Sequence, residues 1–544
     1  MLYFSTLLIS FFITITLIPV LRRAALRLNA MDIPNERKVH AMPIPKCGGL
    51  GMALGTMIPV VLLSGDNPQL ASILSGSAII VIFGLLDDFR DISYKFKFAG
   101  QISAALLVIF WGDISIQSLG ILLPGDIVLP GYIAAPLTLI AIVGVTNAIN
   151  LSDGLDGLAG GISMLGFALI AYLAFVSGSH FLALASFAVV GAIFGFLRFN
   201  SHPAKLFMGD AGSQLLGFLT ITLSLALTQG GGPYNVILPL MIAGYPVLDT
   251  LRVMTRRIME RRNPFSADRN HLHHRLMGLG FYHAEAVFII YVFQACLIIF
   301  GFLFRYHSEW IMLGIYLFAS VFVISALKIA RIRRWEIKRE GFPGFSAFKN
   351  RMRFLLREKN IIIKTSFGLL KFALPCIFFI LCLLPSKIPS YFSVGVLTLA
   401  AALTILLLFK NKWVEIGIRV SLYLTIPLIL YYSETAGSEL FSPLFIRVYD
   451  LCFLALVIPA GLTVRFTRRK QGFKTSPMDF LIFFIAIAIA IIPDFTVMPD
   501  AIRFIATKMI VLFFTYEVLI GELRGKTQVL GWVTSGTLIT LALI

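Results

Sequence analysis

The stretch PLTLIAIVGVTNAINLSDGLDGLAGG, residues 136–161, begins as an apolar run fit to cross a membrane and ends in polar residues spaced by three: Asn147, Asn150, Asp153 and Asp156. On a helix that spacing drifts slowly around one side, so the four side chains gather rather than scatter. Ionisable groups at membrane depth cost roughly 2.5–3.5 kcal/mol each on insertion scales, so a cluster of them at a span end needs a purpose. The stretch reads as a membrane helix that delivers a polar site to its own terminus.

The rest of the chain has the same character. Of its 544 residues 58% are hydrophobic and only 14% charged, against about a quarter charged in ordinary soluble domains. Apolar runs of roughly 17–22 residues, each long enough as a helix to cross about 30 Å of hydrocarbon, recur from one end to the other. Barrel strands would be much shorter, so the expected fold is an all-α polytopic integral membrane protein with about eleven spans up to residue 327 and about seven more after it. The first run, LYFSTLLISFFITITLIPVL from Leu2, has no basic residue before it and no small-residue cleavage site after it, which predicts a retained span rather than a signal peptide. Cysteines at 47, 296, 376, 382 and 452 form no CxxC pair and read as small buried apolar residues.

A net charge of +18 raises the question of nucleic acid, but the basic residues lie between spans and belong to no recognisable binding module. They report topology instead. With the amino terminus outside, the inner loops collect Arg22, Arg23, Arg27, Arg37 and Lys38, the segments 252–275 and 328–364, and the segment 465–474. The outer loops SGDNPQ, SGSH, TQGGGPYN, SETAGSEL and PDFTVMPD then contain no Lys or Arg, as the positive-inside rule requires.

Five polar clusters fall on that same inner face: DIPNERKVHAMPIPKCGG (32–49), GLLDDFRDISYKFKFAGQ (84–101), NAINLSDGLDGLAGG (147–161), FMGDAGSQLLG (207–217) and NPFSADRNHLHHRL (263–276). Their carboxylates and amide oxygens, with no thiolate nearby, suit a hard cation such as Mg²⁺, with Mn²⁺ as the alternative. Lys95, Lys97, Arg37, Lys38, Arg269, His271, His273 and His274 surround the acids. A hard cation ringed by positive side chains is a composition for binding a diphosphate and stabilising charge during phosphoryl transfer. The three His do not follow the HExxH spacing of a zinc site.

At these residues the chain resembles the polyprenyl-phosphate N-acetylhexosamine-1-phosphate transferases, the WecA/MraY-like family of glycosyltransferase family 4. The resemblance covers roughly residues 30–285 through PNERKVH, the pair Asp87 and Asp88, NAINLSDGLDGL, FMGDAGS and PFSADRNHLHH. It implies a Mg²⁺-dependent phosphotransferase that moves a sugar 1-phosphate from a UDP-N-acetylhexosamine to undecaprenyl phosphate and releases UMP, in a bacterial inner membrane with the active site on the cytoplasmic face. By the same resemblance Asp210 and Asn150 are the metal-binding residues, and Asp87, Asp88, Asp153 and Asp156 the catalytic acids. Lys97, Asn147, Arg269, His271, His273, His274 and Asp32 would bind substrate. The pair Asp87 and Asp88 would either position or deprotonate the lipid phosphate or attack as nucleophile; the first is favoured, since a phosphate monoester with a second pKa of roughly 6 is already largely anionic near neutrality. The form of the loop PFSADRNHLHH points to UDP-GlcNAc and to the start of an O-antigen, common-antigen or wall polymer. Another UDP-amino sugar or UDP-MurNAc-pentapeptide is the alternative donor. A transporter without enzymatic activity is a distant alternative that would leave all five clusters unexplained.

The core expected of the family ends near residue 327, which divides the chain into a core (1–327), a basic cytoplasmic linker (328–365) and a membrane module (366–544). The linker's FKNRMRFLLREK also has the composition of an interfacial helix on anionic lipid. In the module, Arg447 and Asp450 read as a structural ion pair, and Glu517 either as a relay or as a group solvated at the inner face. The module reads as a scaffold for downstream glycosyltransferases in preference to a carrier of the lipid product; a homodimer is the other partner considered.

Overall fold

The computed structural model describes residues 2–28, 31–32, 43–64, 67–90, 92–124, 127–229, 231–263, 270–333, 335, 361–385, 388–409, 413–435, 442–465, 500–523 and 525–543. Among these, eleven helices are long and apolar enough to cross a membrane, and two further apolar helices are shorter. The protein is a multi-pass, all-α membrane protein. Its chain divides into two compact units, residues 1–338 with 476–481, and residues 339–475 with 482–544.

The first unit runs through α1 (Leu2–Arg27), α2 (Gly48–Leu63), α3 (Pro68–Arg90), α4 (Tyr94–Phe110), α5 (Gly131–Ser152), α6 (Leu158–Val176), α7 (His180–Asn200), α8 (Gly209–Thr228), α9 (Leu238–Ile242), α10 (Gly244–Met259), α11 (Leu272–Gly278), α12 (His283–Leu303) and α13 (Glu309–Ile332). A two-residue antiparallel ladder pairs Met31 with Pro45 and Asp32 with Ile44. At the centre stands α8, packed by α2, α3, α5 and α6. Its hydroxyls create no orphaned groups, because Thr220, Thr222, Ser224 and Thr228 each donate to the carbonyl four residues back at 2.7–2.9 Å. A span can therefore carry four such residues and remain buried.

One expected span is interrupted. The apolar run expected from about residue 234 folds as the short α9 and then α10, with a break at Ala243. The backbone groups freed there do not meet lipid, where each would cost several kcal/mol. Gln294 of α12 accepts from Tyr245 N–H at 2.9 Å and donates to the carbonyl of Ile242 at 2.9 Å, and the Tyr316 hydroxyl donates to the Gly244 carbonyl at 3.1 Å. Helix α13 continues to Ile332, past the expected end of the core at 327.

The second unit contains α14 (Ile361–Leu383), α15 (Ser390–Leu408), α16 (Val414–Thr435), α17 (Pro443–Arg465), α18 (Asp500–Leu523) and α19 (Gln528–Leu543) around one apolar core. The fifth of the seven expected spans, from about 478, lies outside the described residues, as do the side chains of Arg447 and Asp450 and the linker segment 336–360. Glu517 is a partner in an ion pair within the bundle: it accepts from Arg419 Nε at 2.7 Å and from the Tyr423 hydroxyl, while a second Arg419 nitrogen reaches Glu415 at 2.8 Å. The expectation of five buried cysteines holds for Cys47 and Cys382, whereas Cys296, Cys376 and Cys452 are exposed. In a lipid-facing span the outer surface is as apolar as the interior, so an apolar neighbourhood in sequence does not imply burial.

Candidate active site

The polar ends of α3, α4, α5 and α8 meet at one end of the first unit. Asp87 and Asp88 occupy the last turn of α3, Lys97 the first turn of α4, and Asp210 the first turn of α8. Lys97 Nζ bridges two of the acids, at 2.5 Å from Asp87 and 2.9 Å from Asp210. The other oxygen of Asp87, Oδ1, is buried and meets no hydrogen-bond partner among the described residues.

Asp88 has a different task. Its Oδ1 accepts from the Asp210 N–H at 3.0 Å and its Oδ2 from the Ala211 N–H at 3.2 Å, so it caps α8 from another helix. Gly209 has φ +68°, and a Cβ there would strike the Asp88 carboxylate; only glycine allows this approach. Lys46 lies 3.8 Å from Asp88 and 3.7 Å from Asp32, which draws the amino-terminal ladder to the same place. Asp88→Ala should cost about 1 kcal/mol of stability, the usual effect of losing a cap, and lower transfer by loosening Asp210; Asp88→Asn, which keeps one acceptor, should melt nearer the parent. Thermal melts of both variants beside their transfer rates check this.

A row of neutral amides stands behind the acids. Asn147 Nδ2 donates to Gln101 at 2.7 Å, Gln101 Nε2 donates to Gln214 at 3.0 Å, and Gln214 Nε2 reaches Asp210 at 3.4 Å. Asn147, expected to hold substrate, is thus committed to bracing α4 against α5. Asn150 sits half-buried one turn on, and its carbonyl accepts the Asp153 N–H at 3.1 Å.

The loop acids separate. Burial, and after it the charges of Asp210, Asp156, Asp88 and Asp32, push the Asp153 carboxyl up to about 8. Asp156 is engaged elsewhere: His202 Nδ1 lies 2.6 Å from its Oδ2, which also accepts the Ala204 N–H at 3.0 Å.

The histidine segment hangs from Asp249 of α10, a residue the sequence reading did not single out. Its buried carboxylate takes His271 Nδ1 at 2.8 Å, Arg252 at 3.0 Å and the Leu272 N–H at 2.8 Å. His273 and His274 follow with ring centroids 4.2 Å apart. A Cβ on Gly154 would strike the His273 ring, so this loop and α11 touch at glycine. Neither nitrogen of His273 meets a partner among the described residues, and Arg269 lies outside them. Burial, reinforced by His274, holds His273 at about 3 instead of 6.5. The unfolded chain therefore takes the proton first. The associated stability is complete above pH 6.5 and is lost as pH falls from there toward 3. Melting temperature should decline over that window in the parent and less steeply in His273→Asn.

The donor set suits a hard cation: carboxylates and amide oxygens, one buried carboxylate oxygen without a partner, and no thiolate among them. The model for glycosyl transferase family 4 matches residues 70–228, the interval that carries Asp87, Asp88, Lys97, Asn147, Asn150, Asp153, Asp156 and Asp210. A probable undecaprenyl-phosphate N-acetylglucosaminyl 1-phosphate transferase of Bacillus subtilis is 33% identical over 347 residues, which cover 63% of this chain and 95% of that protein. The chain belongs to glycosyl transferase family 4. Two other relatives, the undecaprenyl-phosphate alpha-N-acetylglucosaminyl 1-phosphate transferases of Escherichia coli K12 and Yersinia pestis, are 34% and 33% identical, again over 63% of this chain and over 98% and 93% of their own lengths. The family likeness thus spans nearly the whole of these relatives while leaving part of this chain without a counterpart in them.

Proposed function

We propose that this glycosyl transferase family 4 chain moves N-acetylglucosamine 1-phosphate from UDP-N-acetylglucosamine to undecaprenyl phosphate, releasing UMP and starting a lipid-linked cell-envelope polysaccharide. The observation that carries the reading is Lys97 held between Asp87 and Asp210 at the end of a membrane bundle, in a chain whose relatives are named for this transfer. Basic residues gathered on that side argue for the cytoplasmic face of the inner membrane, with the amino terminus outside.

In this reading an oxygen of the lipid phosphate attacks the sugar-bearing phosphorus of the donor, the bond to the bridging diphosphate oxygen breaks, and that oxygen leaves with UMP. Lys97 supplies positive charge where negative charge moves between phosphates. Asp87, with one oxygen on Lys97 and the other buried and unpaired, orients the acceptor phosphate and takes its proton when the monoester arrives protonated. Mg²⁺, with Mn²⁺ as the alternative, would be held by Asp210 with Asn150 and would neutralise the diphosphate. Asp249 sets His271 and its neighbours over the nucleotide sugar, and His273, neutral at working pH, offers hydrogen bonds without charge. The second unit serves as a membrane scaffold for the glycosyltransferases that act next.

The test is transfer of radiolabelled sugar phosphate from a panel of UDP-N-acetylhexosamines to undecaprenyl phosphate, with and without Mg²⁺. Metal-dependent labelling from UDP-GlcNAc with UMP released is the expected result. Labelling from a different donor alone would overturn the sugar, and no labelling from any donor by folded protein would overturn the reaction.

A further inference from the structure

Outside the acidic centre a second constellation stands on three separate segments. Asp156 comes from the loop between α5 and α6, His202 from the segment between α7 and α8, and His283 is the first residue of α12. One ligand-capable atom from each lies within 4.8 Å of the other two. The rings of His202 and His283 lie 4.2 Å apart between centroids, tilted by 31°. The His202–Asp156 contact accounts for one ring nitrogen. Among the described residues nothing accounts for His283, whose two ring nitrogens are both buried and without a hydrogen-bond partner there. Buried polar atoms are nearly always satisfied, so an imidazole with neither nitrogen paired asks for a ligand.

We propose that Asp156, His202 and His283 form a second cation site, for a borderline first-row divalent ion such as Zn²⁺. The donor chemistry distinguishes it from the acidic centre: two imidazoles and one carboxylate favour Zn²⁺ and its neighbours, whereas carboxylates with an amide favour Mg²⁺. Three protein ligands would leave one position for water. With metal–ligand bonds of about 2.0–2.2 Å, the edges of a tetrahedron are roughly 3.3–3.6 Å. The ion would thus replace the proton held between His202 and Asp156, opening their 2.6 Å contact by less than about 1 Å and drawing His283 inward. His202, whose side chain is 44% exposed, provides the way in.

Such an ion acts as a clamp. Asp156 belongs to the loop that carries Asp153 and abuts His273 through Gly154. His202 belongs to the segment that leads into Gly209 and Asp210. Joining the two, with α12 as the anchor, fixes the segments bordering the acidic centre without contributing a group to it. The proposal does not depend on the transfer reaction, since metal binding is read without substrate.

The experiment uses the full-length protein in detergent, stripped with EDTA and returned to excess Mg²⁺. Titration with Co²⁺ should give one equivalent with the visible absorption of a four-coordinate ion, insensitive to Mg²⁺ and displaced by Zn²⁺. Zn²⁺ should raise the melting temperature and shield His202 from diethyl pyrocarbonate, read by peptide mass in the unsubstituted protein. His202→Asn and His283→Asn should each lose that equivalent, and His274→Asn should keep it. Absence of the four-coordinate spectrum, equal modification of His202 with and without Zn²⁺, or loss of the spectrum in His274→Asn alone would overturn the site. The shielding measurement needs no substitution, so a variant that fails to fold does not decide the outcome.

Discussion

Asp210→Asn is expected to lower transfer by about 10²–10³-fold, the scale on which electrostatic groups act in enclosed sites, while leaving helix content and melting temperature close to the parent. The substitution keeps the shape of a side chain at the first turn of α8 and leaves the Asp88 cap on the backbone N–H groups of residues 210 and 211 untouched. It removes one of the two charges that hold Lys97 and the carboxylate best placed to take a hard cation. Radiolabel transfer at saturating Mg²⁺, beside a melting curve, makes the comparison. Activity within tenfold of the parent would remove Asp210 from the centre.

Lys97→Met is expected to cost both activity and stability, which separates it from the first variant. Without the ammonium, Asp87 and Asp210 face one another with no counter-charge between them, and Asp87 already has one buried oxygen unpaired. Removing one member of a buried pair costs about 3–5 kcal/mol; because Lys97 is 31% exposed on its side chain, about 1–3 kcal/mol is the fair expectation. The melting temperature should fall by several degrees and recover in part when millimolar Mg²⁺ is added, while the parent should gain less from the same addition. Equal responses of parent and variant to Mg²⁺ would count against a cation site beside these acids.

Much of this arrangement was legible in the sequence because charge is costly in a membrane. Asp87, Asp88, Lys97 and Asp210 stood out against apolar spans, and the structure brings them together. Their division of labour was not legible. That Asp88 caps α8 while Asp87 faces Lys97 follows from which side of α3 each occupies once α8 is packed against it, a relation across more than a hundred residues. Gln101, Gln214 and Asp249 escaped notice for two physical reasons. Neutral amides are common in spans and carry no charge signal, and a lone Asp among the arginines of α10 looks like a solvated partner until burial shows it tied to His271. Gln214 had one sign, lying a helical turn after Asp210. The break at Ala243 had another, in the Gly-Tyr-Pro that follows it. His202 and His283 had none, since isolated histidines in loops are usually solvated.

The two halves of the chemistry hang on different timbers. Lys97, Asp87 and Asp210 are carried by α3, α4 and α8, whereas the histidine segment is suspended from Asp249 on α10 and touches the rest at Gly154. On the function proposed above, exchanging residues around 270–276 would retune which nucleotide sugar is grasped while the phosphoryl machinery keeps its alignment, in the way a lathe accepts a new chuck without resetting its spindle.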